Sequence, residues 1–365
     1  MSAKTSVKYY RPPNKNTATI RRVISVLVVV ALVIVAAGAA SFTAANQLMR
    51  QEPGQLQSFT SNVMPRFSVI SFQSLDEQTT LSGWFFPAQG DPVSTVILVH
   101  DSGKNRLQFD IDMPRFYEFF VTNHYNVISF DLRHSGKSEG HLSAYGYAEW
   151  EDVIAAIQYA RRFTTTKDVL LYGFGSGVTA SLFAWSRLPE QVMTTAADGS
   201  GPGAGAGGDT GGESEDTGPA LSAIDRKIAG LGFDRSYVRG ILLDTPCVQP
   251  DNYIQAVYRN GNLLGRILLQ HTVPYAVRLS ASSTSQRSLV TILSQVQKPV
   301  FLAYNDPDTF FGSASILPIV QERQRLHPDT TAVYADAMPG SISGFKNNPE
   351  AYLGAVKDYL ARFIG

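Results

Sequence analysis

One cysteine in 365 residues, Cys247, excludes an intrachain disulfide and any cysteine-built zinc cluster. Net charge is missing too, since 31 basic side chains balance 31 acidic ones and charged residues make up only 17% of the chain. The balance hides two unlike parts. Residues 1–22 hold Lys4, Lys8, Arg11, Lys15, Arg21 and Arg22 without an acid, so the remaining 343 residues carry 25 basic groups against 31 acidic ones. A mildly acidic body lacks the cations that neutralise phosphates, which argues against nucleic acid as a partner. A hydrophobic content of 44% over this length excludes a disordered chain and requires a sizeable core. The sequence shows no fixed-period repeat, no cofactor-binding pattern and no metal site. Asp110 and Asp112 alternate as ligands do, but a solvated helix start accounts for them better.

Val23 to Ala40 is an uncharged run of 18 residues whose only polar side chain is Ser25. A helix over 23–45 spans about 34 Å, enough to cross a bilayer. The six positive charges before it place residues 1–22 in the cytoplasm and everything after the helix outside. A cleaved signal peptide is the competing reading, because Ala37-Gly38-Ala39 has the small residues of a cleavage site. The apolar run exceeds the usual signal length and favours a retained single-pass anchor. Residues 46–66 read as a polar tether, and residues 67–365 as the folded domain.

Within that domain, strand and helix patterns alternate. Phe67–Phe72 and Thr79–Phe86 read as an antiparallel pair; Thr95–His100 and Asn126–Asp131 are apolar runs of the buried parallel type. Asp112–Asn123 reads as a helix between them. Glu149–Arg162 is an amphipathic helix with three acids in its first turn, followed by strand Asp168–Tyr172 and helix Gly177–Arg187. Strands Val238–Asp244, Pro299–Asn305 and Thr331–Ala337 and a last helix Pro349–Ile364 complete an α/β pattern: a mainly parallel sheet with helices on both faces. Two insertions interrupt it. Residues 199–218 contain nine glycines, four acids and no base, and read as a disordered loop away from the strand tips. Residues 245–298 are apolar and helix-like, placed to cover the strand tips as a lid.

Three motifs in order sharpen this reading. Val99 to Arg106 (VHDSGKNR) resembles the loop after the third strand of α/β-hydrolases, Phe130 to Gly140 (FDLRHSGKSEG) resembles the turn after the fourth, and Leu171 to Gly177 (LYGFGSG) matches the nucleophile elbow. Over roughly residues 65–365 the chain resembles a membrane-anchored, extracytoplasmic bacterial α/β-hydrolase of the serine-aminopeptidase-like group. The resemblance implies an α/β-hydrolase fold with a small helical lid. It also implies a site in which the pattern departs from the family.

With Gly173 and Gly177 in the framing positions, the nucleophile position is Gly175, which has no side chain, and Ser176 comes one residue late. Tyr304-Asn305-Asp306-Pro307-Asp308 resembles the segment carrying the triad acid, which makes Asp308 its counterpart. The family histidine falls where this chain has Ser341, and none of the six histidines (100, 124, 134, 141, 271 and 327) lies beyond Pro328. Oxyanion-type donors remain: the backbone N–H of Ser176 and one from the loop Asp101-Ser102-Gly103. His100, Arg133 and His134 read as braces of their turns rather than pocket contacts, and Cys247 as a small buried hydrophobe. The expectation is a catalytically degenerate hydrolase-fold protein with a binding or assembly role, taking a small-molecule or peptide ligand. The alternative is a working hydrolase of esters or peptides that uses Ser176 with His100, His134 or His141 as a non-standard base.

Overall fold

Every residue of three strands, β3 (Ser94–Val99), β4 (Tyr125–Phe130) and β5 (Val169–Phe174), is buried, as continuous apolar runs covered on both faces must be. The computed structural model describes residues 15–52, 54–56, 63–107, 111–191, 223–282 and 287–365. With β1 (Ser68–Gln73), β2 (Thr80–Phe86), β6 (Val238–Asp244), β7 (Val300–Asn305) and β8 (Thr331–Asp336) they form one sheet, ordered β1-β2-β4-β3-β5-β6-β7-β8. β1 and β2 pair antiparallel, β2 pairs antiparallel with β4, and all other pairings are parallel.

The period of two sorts side chains between two cores. Ile97, Val99, Ile128, Leu171, Ile241 and Leu243 face one core, built with helices α3 (Trp150–Phe163) and α4 (Ser176–Arg187). Val96, Leu98, Val127, Leu170, Tyr172 and Leu242 face the other, closed by α2 (Met113–Thr122) and by α11 (Pro349–Phe363). Asp112 caps α2, its carboxylate accepting from the Arg115 N–H, in keeping with a helix start. Asp110 and the glycine-rich segment 199–218 lie outside the described residues.

The connection after β6 folds as α6 (Asp251–Arg259), a π-turn (Gly265–Leu269), α7 (Gln270–Ser280) and α8 (Leu289–Gln295). Short helices α5 (Ala223–Ala229) and α10 (Gly344–Asn347) and the ten-residue α9 (Leu317–Leu326) fill other connections. Among the described residues one helix, α1 (Lys15–Met49) near the N-terminus, is long and apolar enough to cross a membrane, and its most apolar stretch of 18 residues is entirely unburied. The helix runs past residue 45, and its last turns dock on the domain. Ala45, Leu48 and Met49 are buried, Ser41 Oγ donates to Thr272 Oγ1 at 2.6 Å, and Tyr258 Oη donates to the Ala44 carbonyl at 3.0 Å.

Candidate functional site

β5 ends at Phe174 and α4 begins at Ser176, so Gly175 alone makes the turn. It does so at φ +52° and ψ −114°, a conformation that L side chains rarely adopt. The neighbouring glycines are required by contact. A Cβ on Gly173 would lie 2.7 Å from the Gly177 carbonyl oxygen, and one on Gly177 would lie 2.3 Å from that of Val99. Gly175 therefore stands at the apex of a strand-turn-helix elbow, and Ser176 is the first residue of the helix behind it.

The space a side chain at the apex would use is filled by Asp101, from the tip of β3. A Cβ on Gly175 would stand 2.5 Å from Asp101 Oδ1 and 2.8 Å from Ile342 Cδ1. Asp101 Oδ1 accepts from the Ser176 N–H (2.8 Å), the Ser102 N–H (2.8 Å) and the Ser176 hydroxyl (2.9 Å); Oδ2 accepts from the Tyr253 hydroxyl (3.0 Å). The two backbone donors read from the sequence do converge, and the group they hold is the chain's own carboxylate. Ser176 and Ser102 are the donors here, and Asp101 of the same loop is the group that they hold. Burial pushes its carboxyl pKa up, while the hydrogen bonds from Ser176, Tyr253 and Ser102 pull the other way.

Ser176 is itself 3% exposed, and its oxygen also accepts from the Ser102 N–H at 2.7 Å. Among the described residues no imidazole hydrogen-bonds to it. The rings of His100 and His134 are engaged elsewhere. Nε2 of His100 accepts from the Leu132 N–H (2.9 Å), which leaves Nδ1 to donate to the Asp101 carbonyl (2.7 Å), and burial lowers its pKa. His134 reaches the Gln51 carbonyl at 3.0 Å. Arg133 binds Asp152, Glu151 and Ser74. All three brace turns, the role the sequence favours for them.

Asp308, beyond β7, accepts the N–H groups of Phe310 (2.9 Å) and Phe311 (2.6 Å) on Oδ1. The Ser341 hydroxyl lies close enough to lower its pKa, against a larger upward push from burial. Neither Asp308 Oδ2 nor Ser341 Oγ, both buried, has a partner of hydrogen-bonding geometry. An acid and a hydroxyl thus meet with an unsatisfied oxygen each, and the next residue, Ile342, reaches over Gly175.

Several members of the site were not legible in the sequence. Tyr253, on α6, covers Asp101 and packs its ring against Tyr145, Phe310 and Phe311 at centroid distances of 5.2, 5.3 and 5.6 Å. Asp244, the last residue of β6, is 2% exposed and accepts from Tyr352 Oη (2.6 Å) and Thr245 Oγ1 (2.9 Å). Burial, reinforced by the charge of Asp308, pushes its pKa up to about 6. Cys247 is buried, its thiol pushed up to about 12 by burial, and it donates to the Gln249 carbonyl. A thiol so placed is a poor nucleophile. Among the described residues no group of three or more His, Cys, Asp or Glu side chains is arranged to hold a metal ion.

No family model matches the chain, and no curated protein matches its sequence. Solved structures do match its fold. The Pyrococcus furiosus esterase Pf2001 is 17% identical, over 86% of this chain and 100% of its own, with a TM-score of 0.60. The α/β hydrolase GrgF from Penicillium is 15% identical over 82% and 99%, with a TM-score of 0.51. Est1E from Butyrivibrio proteoclasticus, solved with ferulic acid bound, is 13% identical over 81% and 99%, with a TM-score of 0.53. At such identities the likeness concerns the fold, which is that of the α/β-hydrolases.

Proposed function

We propose that this chain is a membrane-anchored, extracytoplasmic protein on an α/β-hydrolase fold that has lost its hydrolytic machinery and serves binding or assembly. The observation that carries this reading is the Asp101 carboxylate seated between the Ser176 and Ser102 N–H groups, over an apex residue, Gly175, that has no side chain. In an acyl-transfer enzyme such donors face the oxyanion of the transition state, and their value lies in being free and preorganised for it. Here the chain's own carboxyl group already uses them and occupies the place of an incoming oxyanion.

Read as the family's acid and histidine positions, Asp308 and Ser341 complete the picture: the acid remains without a base to orient. Ser176 does not replace the missing nucleophile. Its hydroxyl is buried, held by Asp101 and Ser102, and a serine hydroxyl without an adjacent base is weak at neutral pH. What remains over Asp101 is an aromatic cluster (Tyr145, Tyr253, Phe310 and Phe311) beneath the helices after β6, and the ligand class that goes with this reading is a small molecule or peptide.

The anchor reading is supported by the basic leader, by the exposed apolar stretch of α1, and by the helix passing without a break into turns packed on the domain. The leader then lies in the cytoplasm and the domain outside, as in a bacterial surface protein. The test is labelling of the purified full chain with a serine-directed fluorophosphonate. No labelling is expected; labelling that disappears in Ser176→Ala would promote the active-hydrolase reading instead.

A further inference from the structure

The lid carries an apolar face with no partner in the domain. Leu263, Leu264 and Ile267 are 71%, 52% and 67% exposed, and Tyr275 and Leu279 on α7 are exposed as well. A Cβ on Gly265 would lie 2.7 Å from the Tyr258 carbonyl, so the π-turn is pressed against the end of α6; Leu269 enters the core while Leu263, Leu264 and Ile267 lie on the outer side. A single exposed leucine needs no explanation, but several on consecutive turns mark an interaction surface.

Two observations identify the occupant. The first is position. From Thr19 to Ala36, α1 is exposed on all sides, and from Ala37 it begins to be covered by the domain. Past Arg21 and Arg22, the ~30 Å of a bilayer's hydrocarbon core takes about 20 residues of helix, from Val23 to near Phe42. The membrane boundary therefore falls beside the first docked turns, where Ser41 is hydrogen-bonded to Thr272 of α7. Ile267 is five residues from that contact. The second observation is charge. Residues 252–305 contain no Asp or Glu but hold Arg259, Arg266, Arg287 and Lys298 besides Arg278, which is paired with Asp251, in a chain whose part after residue 22 is otherwise acidic. Arg266 is exposed between Leu264 and Ile267. Basic residues flanking exposed leucines are the composition of a segment lying in the interface of a membrane with anionic lipids.

We propose that the π-turn and the start of α7 dock into the outer leaflet beside α1, with Leu263, Leu264 and Ile267 at the level where headgroups meet acyl chains and Arg266 among anionic headgroups. This rests on the anchor reading above. Because α6, which carries Tyr253 onto Asp101, is joined directly to this turn, docking holds the lid-covered edge of the sheet toward the bilayer.

The test uses the full chain in vesicles of phosphatidylcholine and phosphatidylglycerol whose acyl chains carry bromine, a short-range fluorescence quencher. A bimane label is placed on Val30→Cys in the apolar part of α1, on Ile267→Cys, and on Asp358→Cys on α11. Cys247 is 2% exposed, and the unsubstituted chain gives its background. Labels at 30 and 267 are expected to lose roughly half or more of their emission relative to unbrominated vesicles, as burial to ~5–10 Å implies, and the label at 358 to lose none. Quenching at 30 with emission at 267 as full as at 358 overturns the docking proposal and leaves the anchor standing. No quenching at 30 overturns the anchor itself, and the docking proposal with it.

Discussion

Asp101 and Gly175 are fitted to each other: Asp101 Oδ1 lies 2.5 Å from where a Cβ on Gly175 would stand, so the carboxylate holds its place only because the apex residue has no side chain. Gly175→Ser must meet both a positive φ and this contact. It is expected to destabilise the protein by roughly 2–4 kcal/mol in urea unfolding. In an Asp101→Gly background the same substitution should be milder by about 1 kcal/mol or more, because the carboxylate contact is gone and only the backbone strain and the contact with Ile342 remain. Equal effects in the two backgrounds would mean that the two residues do not compete for the space.

Removing the carboxylate should leave its donors wanting an acceptor. Asp101→Ala strands the Ser176 N–H and the Tyr253 hydroxyl, while the Ser102 N–H keeps Ser176 Oγ, with an expected loss of about 1–3 kcal/mol. Added acetate should raise the melting temperature of Asp101→Ala more than that of the wild type, since only the variant has an open anion cradle at the start of α4. An identical response in both proteins would contradict the assignment.

Much of this was legible beforehand and some was not, for physical reasons. The buried strands announce themselves as short apolar runs, and the glycine frame at 173, 175 and 177 fixes the elbow, because each glycine answers a local steric demand. Helix α9 (LPIVQERQRL) escaped notice because few of its residues are apolar. α7 was hidden by Pro274 inside it and by the π-turn before it, which breaks the period of 3.6. The filling of the cradle was invisible for another reason. Asp101 meets Ser176 and Tyr253, 75 and 152 residues away, and no local pattern records that a carboxylate beside a donor loop turns inward.

Asp244 gives a pH dependence of defined sign. Its pKa rises from 3.8 unfolded to about 6 folded, so between those values the folded state binds more protons than the unfolded. The associated stability is present below pH ~4 and is lost as pH rises through ~6, by up to roughly 3 kcal/mol. Urea unfolding across this window should show a smaller decline for Asp244→Asn than for the wild type. Tyr352→Phe, which removes a hydrogen bond that lowers this pKa, should steepen it.

The turn after β4 rests on a buried ion pair. Arg106 and Asp131, 1% and 0% exposed, meet at 2.6 Å, and Asp131 also accepts the N–H groups of Arg106 and Lys137. Arg106→Met leaves the carboxylate buried without its counter-charge and is expected to cost about 3–5 kcal/mol, read as a fall in melting temperature. A change within a degree or two would show that the two backbone donors suffice.

Ester turnover by the purified full chain tests the central claim most directly. With no side chain at Gly175, the Asp101 carboxyl group in the cradle and no imidazole bonded to Ser176, hydrolysis of a short-chain p-nitrophenyl ester should match that of the Ser176→Ala variant and the buffer blank. Adding Gly175→Ser with Ser341→His should not raise it while Asp101 and Ile342 keep their places. Wild-type turnover that is clearly above the blank and disappears in Ser176→Ala would contradict the account.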